Sequence, residues 1–465
     1  MTVVAALIEA LGPDCVLTDT DTLASRRHDY WMVSNLRDHQ DRPAPAPACV
    51  IRPRNVADVQ TAVRLATQHG APLAPFGLGS GVVGGIIASP DTILLDMGAM
   101  NAVRSIDPVN LLASFDAGKN GLEAEEAVAA LGLTTGHWPQ SIALSTVGGW
   151  IATRASGQFS TAYGNIEDIV YSIEAVLPDG SLVTLGRGPR ASAGPDLRHI
   201  MLGSEGTLGV ITGVTLSLRR KAEKQACTAF AAKTMREGFE FQREIVQTGW
   251  RPPVMRQYDE RESGRLHADA RDCTVIMVHE GPATLVDAEV AAVTALAEKM
   301  GLTALPQTIV QHWLGHRNHV AGWDAILGRG MVADTVEVSA PWDLIAGVYD
   351  EATKAVAAIP GCIAASAHSS HVYRSGLNLY FTFAVKPEHT RDMEGAYFEA
   401  WRRIMQATSQ GGGSVAHHHG IGRVRRDWMT AELGEGGAGL LRTLKAAIDP
   451  AGVMNPGVMI PDGAA

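Results

Sequence analysis

The sequence predicts an α+β fold: two small α+β units meet at a glycine-rich seam, a mixed α/β layer follows, and a helical segment ends the sequence. Three observations predict it. A strand–helix–strand order occurs twice, over 49–95 and over 111–218. Two glycine-bearing turns, Gly148-Gly149 and Gly203 to Gly209, bracket the strand-like runs IVYSIEAVL and SLVTLG. Beyond Arg219-Arg220-Lys221 the pattern changes to longer helices alternating with strands.

In chain order, MTVVAALIEALGPDC has apolar residues at helical spacing, no basic flank, and Glu9 inside the apolar stretch. It reads as an amphipathic helix of an N-terminal helical segment, 1–44, not as a signal peptide. The next domain, 45–220, opens with the strand CVIRP and the helix VADVQTAVRLATQHG, with Asn55 and Gly70 as N-cap and C-cap. The strands PLAPFG and TILLDM follow. Its second unit holds the strand LLASFDAG, the helix GLEAEEAVAALG, the glycine turns and a final strand TGVTLSL. A cap domain, 221–414, carries helices FEFQREIVQ, VDAEVAAVTALAEKMG and WDLIAGVYDEATKAVAAI with strands TVIMVHEG and LNLYFTFAV. The last segment, 415–465, holds the helix GAGLLRTLKAAID and the tail DPAGVMNPG.

Composition narrows the class of partner. A net charge of −10 argues against nucleic acid or an anionic membrane surface and points to a small-molecule substrate. Cys15, Cys49, Cys227, Cys273 and Cys362 are far apart with no CxxC pair, which disfavours a disulfide framework or a zinc site and fits a cytoplasmic protein. No apolar run reaches the roughly 20 residues of a membrane span. The final PDGAA carries no peroxisomal or retention tripeptide.

The loop PFGLGSG, Pro75 to Gly81, has no Walker lysine and opens no helix. Its glycines at 77, 79 and 81 let successive amides converge on a pyrophosphate; alone, the loop reads equally well as a flexible surface turn. Together with STVGGWIATRAS and MLGSEGTLGVIT, it resembles the FAD-binding domain of the vanillyl-alcohol oxidase superfamily. Within that superfamily the chain is most similar, from about Pro45 to Asp462, to the alkyldihydroxyacetonephosphate synthase branch. The resemblance implies a PCMH-type FAD-binding domain, a substrate-facing cap and a C-terminal segment returning to the FAD. It implies cofactor contacts at Pro75, Phe76, Gly77, Leu78, Gly79, Ser80 and Gly81, then Gln140, Ser141, Ser145, Thr146, Gly148 and Gly149. Further contacts are Thr153, Arg154, Ala155 and Ser156, and Glu205, Gly206, Val210 and Ile211. Neither of the first two loops contains a Cys, so the FAD is expected to be noncovalent; His137, the nearest candidate for a link, reads as structural.

The run AHHHG places His417, His418 and His419 after a strand-like GGGSVA. A solvated histidine cluster is one reading; a metal site is disfavoured because neighbours on a strand point to opposite faces. Glycolate- and lactate-type flavin dehydrogenases carry HxGDGNxH and GEHGxG at metal-ligand positions. Here SSHVYRSGLNLYF and AHHHGIG put Tyr380 at the second His and His418 at the Glu, so no metal is expected. The resemblance to the synthases makes Tyr380 the proton donor or acceptor, shaped by the three histidines and by Arg256 in VMRQYD. A phenol titrates near 10, so acting as a base near neutrality requires cationic neighbours, which the imidazoles and Arg256 are expected to supply. Without the resemblance, Tyr380 reads as a core aromatic of LNLYFTF and Arg256 as a surface arginine.

One departure stands out. Synthases carry a Tyr-x-Arg-Asp segment whose arginine holds the substrate phosphate, and here GWD puts Trp323 in that place. His316, Arg317 and His319, in HWLGHRNHV, are alternative anion binders, and Arg317 and Trp323 are the expected substrate contacts. The activities implied are FAD-dependent oxidation of a small alcohol or hydroxy acid by hydride transfer to flavin N5, or synthase-like exchange of an acyl for an alkyl chain. Flavin binding without catalysis is a third. Ala155 aligns with a residue that is alanine in related dehydrogenases and glycine in related oxidases, so an acceptor other than oxygen is expected. Assembly as a homodimer is left open.

Overall fold

The computed structural model describes residues 1–267 and 270–461; the end of the predicted last segment, 462–465, lies outside them. The first unit is a four-stranded sheet in the order Val16–Leu17, Cys49–Ile51, Ile93–Asp96, Leu73–Phe76. Cys49–Ile51 and Leu73–Phe76 both run parallel to Ile93–Asp96. Residues 1–44 form three helices, Val3–Leu11, Thr20–Arg26 and Met32–His39, and also supply the edge strand Val16–Leu17. Two residues carry no periodicity, which is why the sequence shows only helix there. The helix Val56–His69 has the expected caps: the Asn55 side chain accepts from the Asp58 amide, and Gly70 turns left-handed at φ +62°.

The second unit is a five-stranded antiparallel sheet, in the order Val103–Asp107, Leu112–Asp116, Val210–Ser217, Val170–Val176, Leu182–Leu185. Arg219–Arg220, at the predicted boundary, pairs antiparallel with Leu133–Thr134 and so is stitched to this half.

The third layer is a seven-stranded sheet in the order Thr303–Leu305, Lys224–Ala232, Cys273–Gly281, Val254–Tyr258, Cys362–Ser369, Gly376–Val385, Val332–Pro341. Every pairing in it is antiparallel. Its two faces are sorted by the two-residue period of a strand. Leu377, Leu379, Phe381, Phe383 and Val385 join Met255, Ala367, Val336 and Val338 in one core. That core includes residues of the helices Met235–Gln247, Ile345–Ala357 and Met393–Gln410. The alternate residues, among them Arg256, Glu337, His368 and Tyr380, therefore belong to the opposite face.

A C-terminal helix, Met429–Ile448, breaks at Gly434 and is longer than the sequence pattern indicates. After it the chain returns to the first sheet. Leu73 donates to the Val453 carbonyl at 2.8 Å and accepts from the Asn455 amide at 2.8 Å. Among the described residues, no helix is long and apolar enough to cross a membrane.

Candidate active site

The loop after the strand Leu73–Phe76 is built to receive an anion. The amides of Leu78, Gly79, Ser80 and Gly81 have no partner among the described residues, and Gly79 sits at φ +71°. Successive free amides around a left-handed residue form a concave nest for phosphate. A Cβ at Gly77 would lie 2.8 Å from Thr146 Oγ1, which caps the helix Val147–Thr153. Gly148 packs so tightly on Ala117 that a Cβ would approach it to 2.7 Å. These features fit the pyrophosphate of the dinucleotide expected from the motifs. Thr153 bonds back to the Gly149 carbonyl at 3.0 Å, and Arg154, left-handed at φ 52°, pairs with Glu167 at 2.9 Å. Ser141 accepts the Ser145 hydroxyl, which in turn accepts from the Trp150 indole, both at 2.9 Å.

Other expected cofactor residues have structural employment. Phe76 is buried under Arg26, Val210 and Ile211 send their side chains into the core, and Ala155 is 9% exposed beside the Trp150 core. Gln140 reaches the cap, donating to the His319 carbonyl at 2.7 Å. Glu205 is buried, and its carboxylate accepts from the amides of Ile421 (2.6 Å) and Gly422 (2.9 Å). It thus ties the turn that holds Gly206 to the loop after the histidines. Asn455, which the sequence does not mark, donates to the carbonyls of Glu205 (2.7 Å) and Gly85 (3.0 Å).

Tyr380 stands opposite Glu337 in the pairing of Gly376–Val385 with Val332–Pro341. Its hydroxyl lies 3.3 Å from His418 Nε2 and makes a very short contact with His419 Nε2. His419 Nδ1 approaches Glu337 Oε2 at 3.0 Å, an ionic approach without aligned hydrogen-bond geometry. His418 Nδ1 lies 2.7 Å from His417 Nδ1, and His417 Nε2 lies 2.7 Å from the Tyr373 hydroxyl. His371 stacks on His417 at 4.9 Å and bonds to Ser160 (2.6 Å) and Ser156 (3.2 Å) through Nδ1. His368 stacks on Tyr380 at 5.0 Å and pairs with Glu262 at 2.7 Å. The three imidazoles of the run are partly accessible to water.

Two expectations are corrected. Histidines 417–419 are not on a strand: Glu337 Oε1 collects the amides of His417, His418 and His419 at 3.4, 3.2 and 2.8 Å, curling the run into a turn. The strand-face argument against a metal therefore does not apply, and ring nitrogens of His371, His417 and His418 lie within 4.8 Å of one another. The second correction concerns charge. Burial and the nearby Glu337 carboxylate raise the Tyr380 phenol above its ordinary value, outweighing Arg256 and Arg425. Burial also lowers His417 to about 4 and holds His418 and His371 well below the usual imidazole range. Shifts in this direction favour the neutral imidazoles, so burial works against their activating the phenol by charge.

Arg256 donates through Nε to Tyr258 at 2.9 Å, lies over the Tyr258 and Trp313 rings, and acts electrostatically on Tyr380. Arg317 and Trp323 are engaged elsewhere. Arg317 lies over Trp138 at 4.7 Å and donates to Gln158, while Trp323 stacks on Tyr30 and donates to its carbonyl at 3.1 Å. Arg317 thus meets the FAD-binding half and Trp323 the N-terminal segment, and the contacts of both lie away from the Tyr380 cluster. Sequence reading missed Glu337, Arg425, Tyr373 and His371. Only Tyr373 has a signal, seven residues before Tyr380 at the first His of the segment aligned with HxGDGNxH. His137 is fully buried, neutral (lowered to about 3 by burial) and edge-on to Trp150 at 4.7 Å.

Comparison with known proteins agrees with this architecture. Residues 47–186 match the FAD binding domain family, and residues 221–459 match the family of FAD linked oxidases, C-terminal domain. The FAD-linked oxidoreductase YgcU of Escherichia coli (strain K12) is 34% identical, with 99% of this chain and 98% of that protein covered. Alkyldihydroxyacetonephosphate synthase of Dictyostelium discoideum is 30% identical, over 90% of this chain and 74% of that protein. A solved alkyldihydroxyacetonephosphate synthase structure superposes with TM-score 0.81 at 27% identity, over 97% of this chain and 85% of that one. With both domains matched in order and near-complete coverage by relatives, the chain belongs to the FAD-linked oxidoreductase family, an FAD-binding domain followed by the C-terminal domain of FAD-linked oxidases.

Proposed function

We propose that the protein oxidises a small alcohol or hydroxy acid, using noncovalent FAD and an electron acceptor other than oxygen. The observation that carries this reading is the Tyr380 hydroxyl set between the Nε2 atoms of His418 and His419, with His419 backed by Glu337. Bound FAD supplies the hydride acceptor. Tyr380, kept protonated by burial, acts as a relay: it takes the substrate hydroxyl proton as its own proton passes to His419 Nε2. Glu337 stabilises the resulting imidazolium. Arg256, engaged on one edge by Tyr258, has guanidinium nitrogens left to hold an oxyanion of the substrate. The noncovalent reading is supported by the burial of His137 and by cysteines that all lie outside the cofactor loops. All five thiols are free, which supports a reducing, cytoplasmic setting.

Acyl-to-alkyl exchange is the second reading, favoured by the Tyr380–histidine arrangement and the synthase relatives. Trp323, in place of the phosphate-holding arginine, weighs for oxidation. Anaerobic mixing of purified holoprotein with panels of hydroxy compounds and with acyl-dihydroxyacetone phosphate separates the two. Flavin bleaching by an alcohol or hydroxy acid supports oxidation; fatty-acid release from the phosphate ester without net bleaching supports exchange. Rapid peroxide formation in air would overturn the choice of dehydrogenase.

A further inference from the structure

We propose that the proton collected at Tyr380 leaves through His418, His417 and Tyr373 into a surface cavity; this rests on the oxidation reading above. The ring atoms form a continuous chain. Tyr380 Oη to His418 Nε2 is 3.3 Å, His418 Nδ1 to His417 Nδ1 is 2.7 Å, and His417 Nε2 to Tyr373 Oη is 2.7 Å. Tyr373 lines a cavity of about 490 Å³ together with Ser339, Ser375, Ser414 and Glu432. Both histidines use both ring nitrogens within the chain, so each accepts a proton on one and releases one from the other.

The balance is one proton and no electrons. Imidazolium His419 returns its Nε2 proton to Tyr380 Oη as the phenol's proton moves to His418 Nε2. The His418 Nδ1 proton moves to His417 Nδ1, the His417 Nε2 proton moves to Tyr373 Oη, and the Tyr373 proton passes to water in the cavity. All five side chains end neutral. The alternative use of these lone pairs is a metal ion, for which His371 would be the third ligand. Against it, the Nδ1 atoms of His417 and His418 stand at hydrogen-bond distance from each other, 2.7 Å, too close for an ion between them. Asn165 steadies the exit tyrosine, its amide lying 3.2 Å from the Tyr373 hydroxyl.

The test is Tyr373→Phe, which keeps the ring and removes the exit hydroxyl. In anaerobic single turnover with a pH indicator, proton release in the parent protein keeps pace with flavin bleaching. In the variant it should lag about tenfold. Added imidazole buffer should abolish the lag in a concentration-dependent manner, which a merely structural defect would not show. Release in step with bleaching in the variant overturns the route. A second measurement needs no turnover: in oxidised holoprotein labelled with ¹⁵N-histidine, an N–H···N bond between His417 and His418 gives a through-bond coupling between their ring nitrogens. Tyr373→Phe should move the His417 Nε2 resonance. Absence of the coupling, or a stoichiometric divalent metal in the purified protein, overturns the relay. Failure of every alcohol to bleach the flavin while the coupling is present instead overturns the oxidation reading.

Discussion

Glu337 and Arg425 form an ion pair in which both side chains are fully buried, directly behind the three histidines. Burying two charges is costly, and the cost is offset here by their other bonds. Arg425 also donates to the carbonyls of Gly420 (2.7 Å) and Glu337 (3.1 Å), and Glu337 gathers three histidine amides. Their mutual field, with His419, keeps Glu337 well below the usual carboxylate range despite burial.

Removing one partner leaves the other charge stranded. Arg425→Ala should destabilise by about 3–5 kcal/mol, read by denaturant unfolding, and should lower turnover as the histidine turn loosens. A variant with parental stability would show the pair to be dispensable.

Tyr380→Phe deletes only the relaying hydroxyl. Turnover should fall by roughly 10²–10⁴-fold with flavin content unchanged. Addition or chelation of divalent metal should leave the parent's turnover as it was.

Gly79→Val should yield apoprotein. Gly79 is left-handed, and a Cβ there would lie 2.8 Å from the buried Phe76 ring, so the loop must deform and its free amides lose their convergence. Flavin absorbance per polypeptide measures the loss; far-ultraviolet dichroism should show the fold retained.

Burial raises Glu205 and Asp29 to about 7. Their stabilising contribution is complete below the ordinary carboxylate range and is lost as pH rises through about 7, because the unfolded chain has already released its protons. Buried His137, His371, His417 and His418 act in the opposite sense as pH rises through the ordinary imidazole range, so the check is a difference: between about pH 5 and pH 7 the Tm of the parent should fall relative to that of Glu205→Gln. Glu262 runs the other way: its partner His368 lowers it to about 2 against burial, and its contribution fades only in acid, outside that window. Equal slopes in parent and variant would remove Glu205 from the account.

Local signals were legible in the sequence where they are strong. Asn55 and Gly70 mark both ends of one helix, and the loop at Gly77, Gly79 and Gly81 reads as a cradle because glycine permits what other residues block. The surroundings of Tyr380 were less legible. Glu337 and Arg425 meet across a separation of 88 residues, and nothing local distinguishes Glu337 from an ordinary strand carboxylate. The histidine run reads as the end of a strand because its curvature comes from Glu337, not from its own neighbours. Tyr380 was found through resemblance, but its protonation follows from burial, which the sequence does not display.

Asn455 has a consequence for the order of assembly. Its side chain clips together the Gly85 loop and the Glu205 turn, while Val453 and Asn455 complete the backbone bonding of Leu73, at the start of the strand that feeds the glycine cradle. During synthesis, the flavin half emerges long before these residues do, with the whole cap still to be made. The cradle is therefore an unfinished vessel through most of translation, and its last bonds close only when the tail arrives.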